Sequence, residues 1–388
     1  MRRAIFAVFI LFFPISALAA QYKPFEYSGW IPYWKAEAGA LEAHAHIGQL
    51  TEINPFGYSV KADGTLQDLA GLQKEYWQTL FADARAKNAR IIPTVMWSDG
   101  AQMDKLLRDP EWRKNHVQNL YDMVMENSFD GLDLDYEGKW AETRPYFSAF
   151  LQELYKKMGK KWVMCTVEPR TPLESRYDTV PKTIEYANDF KVLNKNCDRV
   201  RLMTYDQGTI DIKLNRAQGG KPYIPLSDPK WVEKVVALAA KDISKKKLVV
   251  GVGTYGYEYT LTPQRESYVY DKQWSLSHSY ALDLARKLGL TPQRNGAGEI
   301  SFTYMPALAG GADTTQTLPN PEPFNLSTST SPQAAAVALA FEKIHIVWWS
   351  DAQAIKQKVD LARKLGLRGV AVFKIDGGAD PKMWSVLK

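Results

Sequence analysis

Eight short apolar runs, rich in β-branched and aromatic residues, constrain the fold of this chain more than any other feature. They are Tyr27–Tyr33, Ile53–Val60, Arg90–Met96, Phe129–Asp135, Trp162–Val167, Arg199–Thr204, Leu248–Gly253 and Gly369–Phe373. Amphipathic helical stretches separate most of them, at Glu75–Lys87, Trp112–Asn127, Tyr146–Met158, Trp231–Ala240 and Ala352–Leu365. Strands alternating with helices imply parallel βαβ units, and eight such units predict an α/β fold, the (β/α)8 TIM barrel. An open doubly wound sheet is the alternative, but no glycine-rich phosphate fingerprint follows the first run.

The seventh and eighth runs are more than 110 residues apart. The segment from about 257 to 347 therefore reads as an α+β insertion between strands 7 and 8. It holds a β-like stretch (Glu299–Tyr304), a helix (Ser279–Leu288) and an apolar run (Ile344–Trp349). Between Pro306 and Ala335 the chain turns polar and irregular, as a mobile surface loop would. Insertions after barrel strands lie at the C-terminal mouth, so this one is expected to wall a substrate cleft.

Residues 1–19 read as a signal peptide rather than as fold. Arg2-Arg3 precede an apolar run from Ala4 to Leu18 that ends in the small-x-small pattern Ala17-Leu18-Ala19. The run is short for a membrane span, and no second one follows, so no membrane span is expected after cleavage. Residues 20–388 then form the barrel with its insertion, in a secreted or periplasmic protein. Loss of Arg2 and Arg3 leaves a net charge of about +4, which does not argue for nucleic acid. A monomer is expected. Cys165 and Cys197 could form one disulfide in an oxidising compartment, or Cys165 could simply be buried.

The chemistry concentrates in Asp130-Gly131-Leu132-Asp133-Leu134-Asp135-Tyr136-Glu137, four acids in eight residues at the end of the fourth run. Side chains alternate faces along a strand, so Asp133, Asp135 and Glu137 project to one side and Asp130 to the other. Three stacked acids repel one another and resist desolvation, which a packed core does not tolerate. A divalent cation could be held by such oxygens, but the run lacks the glycine and ligand spacing of a calcium loop. No metal and no cofactor is expected.

These residues resemble the Asp-x-x-Asp-x-Asp-x-Glu signature of glycoside hydrolase family 18, and the resemblance covers essentially the whole chain beyond residue 19. Met203-Thr204-Tyr205-Asp206 is similar to the family's Met-x-Tyr-Asp at the end of the sixth strand. Gly253-Thr254-Tyr255-Gly256-Tyr257 is also family-like. Trp348-Trp349-Ser350-Asp351 resembles the segment closing the insertion in bacterial members that act on cell-wall glycans.

The resemblance implies an exported glycosidase acting on β-linked N-acetylglucosamine glycans, chitin oligomers or peptidoglycan, by a substrate-assisted retaining mechanism. It implies Glu137 as general acid and then base, Asp135 as acceptor for the acetamide N–H, and Asp133 as sharer of a proton with Asp135. Tyr205 would donate to the acetamide oxygen, and Asp206 would contact the adjoining sugar beside Met203. Asp130 would support the site structurally. The alternative function is a catalytically weak, chitinase-like glycan-binding protein.

Each role has a plainer rival, since Tyr205 could be a packed aromatic and Asp206 a turn cap. Aromatics at strand ends are expected wall residues, namely Tyr33, Trp97 and Phe56, with core packing equally open for Phe56. One departure stands out: Lys374 falls where the family ends its eighth strand with a Trp, unless Phe373 is the matching residue. A lysine there would suit an acidic or lactyl-bearing glycan.

Overall fold

The computed structural model describes residues 25–264, 267–305 and 344–387. The expected signal peptide and the polar stretch between Pro306 and Ala335 lie outside these residues. Eight parallel strands close on themselves: β1 (Glu26–Pro32), β2 (Glu52–Val60), β3 (Thr94–Trp97), β4 (Gly131–Tyr136), β5 (Trp162–Val167), β6 (Arg199–Leu202), β7 (Leu248–Gly253) and β8 (Gly369–Phe373). Each pairs with its neighbours in sequence, and β1 closes the barrel by pairing with both β2 and β8. The third run is shorter than expected because Pro93 has no N–H to give the ladder. It leaves Arg90–Ile91 paired to β2 and the main strand beginning at Thr94.

Strand alternation explains where the core sits. Ile53, Val95, Leu132, Leu134, Val163, Val200, Leu202, Val250, Val252, Val370 and Val372 face outward and pack under the helices as one apolar layer. The helices Glu75–Ala86, Pro110–Glu126, Arg144–Met158, Pro229–Ala239 and Ala352–Lys364 cover them. The opposite parity fills the barrel interior, and much of it is charged. Glu26 accepts from Arg199 Nε and Nη2 at 2.7 Å each and from Arg368 Nη2 at 2.8 Å. One layer up, Glu52 binds Arg201 and, at 3.0 Å, Arg90 Nε.

Burial alone would raise the Glu26 pKa, but hydrogen bonds from Arg199 and Arg368 and the charge of Arg90 outweigh it and lower it to about 2. A carboxylate depressed in the fold stabilises the protein above its unfolded pKa, and that stability is lost as pH falls through the folded value. Glu26 is therefore expected to contribute about 3 kcal/mol that disappears between pH 4.5 and 2. Denaturant titrations of the wild type and Glu26→Gln across that window test this. The stability difference between them should shrink toward pH 2, and parallel curves would contradict it.

Cys165 and Cys197 are disulfide-bonded, with Cα atoms 6.0 Å apart, and join β5 to the residues entering β6. Both are buried as well, so the bridge and the burial coexist.

The insertion runs from Tyr255 to Trp349, two residues beyond each expected bound. Its five-stranded antiparallel sheet has the order Ser267–Ser277, Tyr255–Gln264, Ile344–Trp349, Ile300–Tyr304, Gln293–Arg294. The helix His278–Lys287 packs on one face through Ala281 and Ala285 against Phe302, Val347 and Trp349. Gly256 is required at the start of this sheet, since a Cβ there would lie 2.2 Å from the Trp348 carbonyl oxygen. Glu299 clamps the insertion to the barrel. It accepts from the Leu226 and Ser227 amides at 2.9 and 3.0 Å and from Trp348 Nε1 at 2.7 Å, and it faces the Lys358 ammonium at 3.4 Å.

Candidate active site

The C-terminal ends of β4, β5, β6 and β8 bring most of the expected residues together. On β4, Asp133 and Asp135 point into the barrel, while Leu132, Leu134 and Tyr136 pack outward. Asp133 is fully buried and saturated. Its Oδ2 accepts from Trp30 Nε1 and Thr94 Oγ1 at 2.9 Å, its Oδ1 accepts from Thr166 Oγ1 at 2.8 Å, and Arg201 Nη1 lies 2.9 Å from Oδ2. Burial pushes its pKa up to about 6 against the lowering effect of Trp30, Thr166 and Thr94.

Asp135, 5% exposed, is different, because its Oδ1 is buried without a partner. Burial, with Glu137 and Asp133 adding repulsion, holds its pKa well above the ordinary value. Asp133 accepts three hydrogen bonds, from Trp30, Thr94 and Thr166, which leaves Asp135 Oδ1 as the open acceptor of the two.

Glu137 follows β4 at the mouth, its amide tied to the Trp97 carbonyl at 2.8 Å. Burial first, then Glu168 and Asp206, raise its pKa, and Lys139 opposes them. Tyr205 lies among the same acids. Burial and the charges of Asp135, Asp206, Glu137 and Asp133 raise its pKa well above 10, so it is a neutral donor. Its ring stacks on Phe373 with centroids 5.3 Å apart. Met203 packs beside it with Leu226 and Tyr255. Asp206 adopts a left-handed backbone, φ 55°, and its Oδ1 accepts from the Tyr255 and Tyr257 hydroxyls at 2.7 Å each.

Two of the expected wall residues are engaged by protein neighbours. Trp97 is in register with Tyr136, so alternation turns it outward into the helix layer. There it is 5% exposed, packs on Trp112 and Tyr136, and donates to Gln102 Oε1 at 2.9 Å. Tyr136 in turn bonds His116 Nε2 at 2.6 Å, while His116 Nδ1 donates to the Gly64 carbonyl at 2.9 Å. Lys374, the residue after β8, pairs its ammonium with Asp376 at 2.5 Å. Phe373, the inward residue, fills the floor between Trp30, Phe56, Tyr205 and Tyr255.

Phe56 lines this floor. From it an aromatic rim climbs outward through Trp34, 5.9 Å away, to Tyr33; these two are 47% and 36% exposed. Asp130 sits at the other end of β4, where its Oδ2 accepts from the Ile91 amide at 2.8 Å and braces the strand's start.

Glu168 and Lys139 are the members of the site that sequence reasoning missed. Glu168 directly follows β5, where barrel enzymes carry their chemistry, and that position was its available signal. Glu168, Asp135 and Glu137 surround Lys139, with Asp133 acting on Asp135 and Asp206 on Glu137, and together they make a site suited to a developing positive charge.

A sequence model of the family "Glycosyl hydrolases family 18" matches residues 27–378. The chain is 24% identical to a cortical fragment-lytic enzyme of Bacillus anthracis over 346 residues, 87% of this chain and 67% of that one. Among solved structures it is similar to the Bacillus cereus spore cortex-lytic enzyme SleL, with a TM-score of 0.68 and 19% identity, covering 94% of this chain and 73% of that one. It is also similar to a class V chitinase from Pseudomonas fluorescens, with a TM-score of 0.69 and 20% identity, covering 94% and 98%. A closed barrel with acids at the end of its fourth strand, matched across nearly its full length, makes this chain a glycosidase belonging to glycoside hydrolase family 18.

Proposed function

We propose that this glycosidase is an exported, monomeric enzyme that cleaves β-linked N-acetylglucosamine glycans, chitin oligomers or peptidoglycan, with retention and substrate assistance. The observation that carries the reading is Asp135. Burial and the neighbouring acids disfavour charge on its carboxyl, which makes it a poor nucleophile, yet its Oδ1 lies unpartnered beside Glu137 and Tyr205. Asp133 is no better, being engaged by Trp30, Thr94, Thr166 and Arg201. This suits attack by the sugar's own acetamido oxygen, the substrate-assisted route that the family resemblance implies.

The steps follow from the residues. Glu137 gives its proton to the glycosidic oxygen as the bond to the anomeric carbon breaks. The acetamide oxygen, aligned by the Tyr205 hydroxyl, attacks that carbon from the opposite face. Asp135 accepts the acetamide N–H as a hydrogen bond on its unpartnered Oδ1, the proton it shares with Asp133 passes to Asp133, and the charge left on Asp135 balances the positive oxazolinium. Glu137, now a base, removes a proton from water as it opens the ring on the original face, which gives retention.

Phe373 supplies the apolar floor for the reacting sugar, with Phe56, Trp34 and Tyr33 leading outward and Asp206 at the adjoining subsite. Met203 and the Asp130 brace hold the surrounding framework. Export to a secreted or periplasmic location rests on the first 19 residues and suits the Cys165–Cys197 bridge. Among the described residues no helix is long and apolar enough to cross a membrane. Glycan binding without turnover is the weaker reading, because Glu137 is present with a raised pKa.

The test is a substrate panel. The purified mature protein should release reducing ends from N-acetylglucosamine oligomers or from peptidoglycan, and none from the matching glucose oligomers, with EDTA present throughout. Equal cleavage of the glucose oligomers would contradict the acetamide requirement. Binding without turnover would favour the lectin.

A further inference from the structure

Glu168 stands outside the four-acid run, yet it holds the turn that carries Glu137. Its Oε1 accepts from the Gly138 amide at 3.0 Å, and Gly138 bends the chain away from β4 in the left-handed region, φ 68°. Its Oε2 accepts from Asn188 Nδ2 at 3.0 Å. The Asn188 carbonyl is in turn bound by Arg170, whose guanidinium lies between the rings of Tyr186, 4.0 Å away, and Phe190, 3.7 Å away. The Glu168 carboxylate is thus clamped from both sides before any substrate arrives.

We propose that Glu168 is a positioning residue for Glu137, holding the Gly138 turn with one oxygen and setting the charge that faces the Glu137 carboxyl. This rests on the reading of Glu137 as the acid. The groups facing Glu137 are Glu168 from the end of β5, Asp206 from beyond β6, and Asp135 and Lys139 from its own segment, with Tyr205 beside them. After burial, Glu168 acts most strongly on Glu137, and it favours the protonated form. It also attracts Lys139 more than any other described group does, so the cation beside Glu137 is partly neutralised by Glu168. A proton donor so placed stays loaded at higher pH than an isolated glutamate.

Glu168→Gln separates charge from hold. Its carbonyl oxygen can still accept from Gly138, and its amide can donate to Asn188 Oδ1, which is buried without a partner. The expected result is an alkaline limb of kcat/KM about one pH unit lower, read against each enzyme's own acid-side plateau. Glu168→Ala removes the hold too, and should lower kcat about tenfold further at every pH. Carboxyl 13C NMR titration of Glu137, assigned with Glu137→Gln, gives the same comparison without relying on turnover.

A Glu137 titration that is unmoved in Glu168→Gln overturns the inference, even in an enzyme whose Glu137→Gln variant is dead. Full activity in Glu137→Gln overturns the acid assignment instead. A lowered Glu137 pKa in Glu168→Gln, in either assay, supports the inference.

Discussion

Glu137→Gln is expected to lower kcat on unactivated N-acetylglucosamine glycans by about 10³-fold, within the range that general acid–base groups contribute. The change is nearly isosteric, and the tie from the residue 137 amide to the Trp97 carbonyl stays intact. It removes an acid that burial, Glu168 and Asp206 all disfavour in its charged form, so thermal stability should hold or rise slightly. The loss should therefore appear in turnover and not in folding, as reducing-end assays beside a circular dichroism melt would report. Aryl glycosides with very acidic leaving groups need little protonation, so their cleavage should fall much less. A uniform loss across leaving groups would mean that Glu137 acts elsewhere in the reaction.

Asp135→Asn is expected to lower kcat by about 10²-fold, comparable to loss of one preorganised electrostatic contact. Burial and the neighbouring acids disfavour charge on Asp135, and its Oδ1 has no partner to lose, so a carboxamide should be accepted with little cost in stability. What the variant lacks is the negative charge that forms as the oxazolinium develops. Because that defect concerns the nucleophile, activated leaving groups should not rescue it. Pre-steady-state kinetics with one aryl N-acetylglucosaminide for both variants make the contrast: partial rescue of Glu137→Gln, none of Asp135→Asn. Equal rescue of both would break the division of roles.

Much of the fold was legible because outward-facing strand positions in a parallel barrel must be apolar, and runs such as Leu132–Leu134 and Val370–Val372 declare themselves. The polar interior was not, since Glu26 and Glu52 sit one residue before their runs began and Arg199 and Arg201 passed as strand residues. Their meaning depends on partners more than a hundred residues away, as with Glu26 and Arg199.

In the site, parity along β4 separated Asp133, Asp135 and Glu137 from Asp130 without any tertiary information. The same rule, applied to β3, would have turned Trp97 outward, but the break at Pro93 obscured its register. At β8 the two candidates were adjacent, and only the inward direction of Phe373 decides against Lys374. Glu168 was hidden for another reason: a single acid after a strand carries no spacing pattern, and its significance comes from the Gly138 amide across the barrel rim. The disulfide was undecidable, because burial and bridging of Cys165 predict the same local sequence.

The central claim is that the sugar's acetamide, and no protein carboxylate, attacks the anomeric carbon. The most direct measurement compares kcat/KM for aryl glycosides bearing N-acetyl, N-fluoroacetyl, N-difluoroacetyl and N-trifluoroacetyl groups, which differ little in size but fall steadily in acetamide nucleophilicity. A steep monotonic decline is the predicted result. Rates that stay flat across the series would contradict the account and return the nucleophile to the protein.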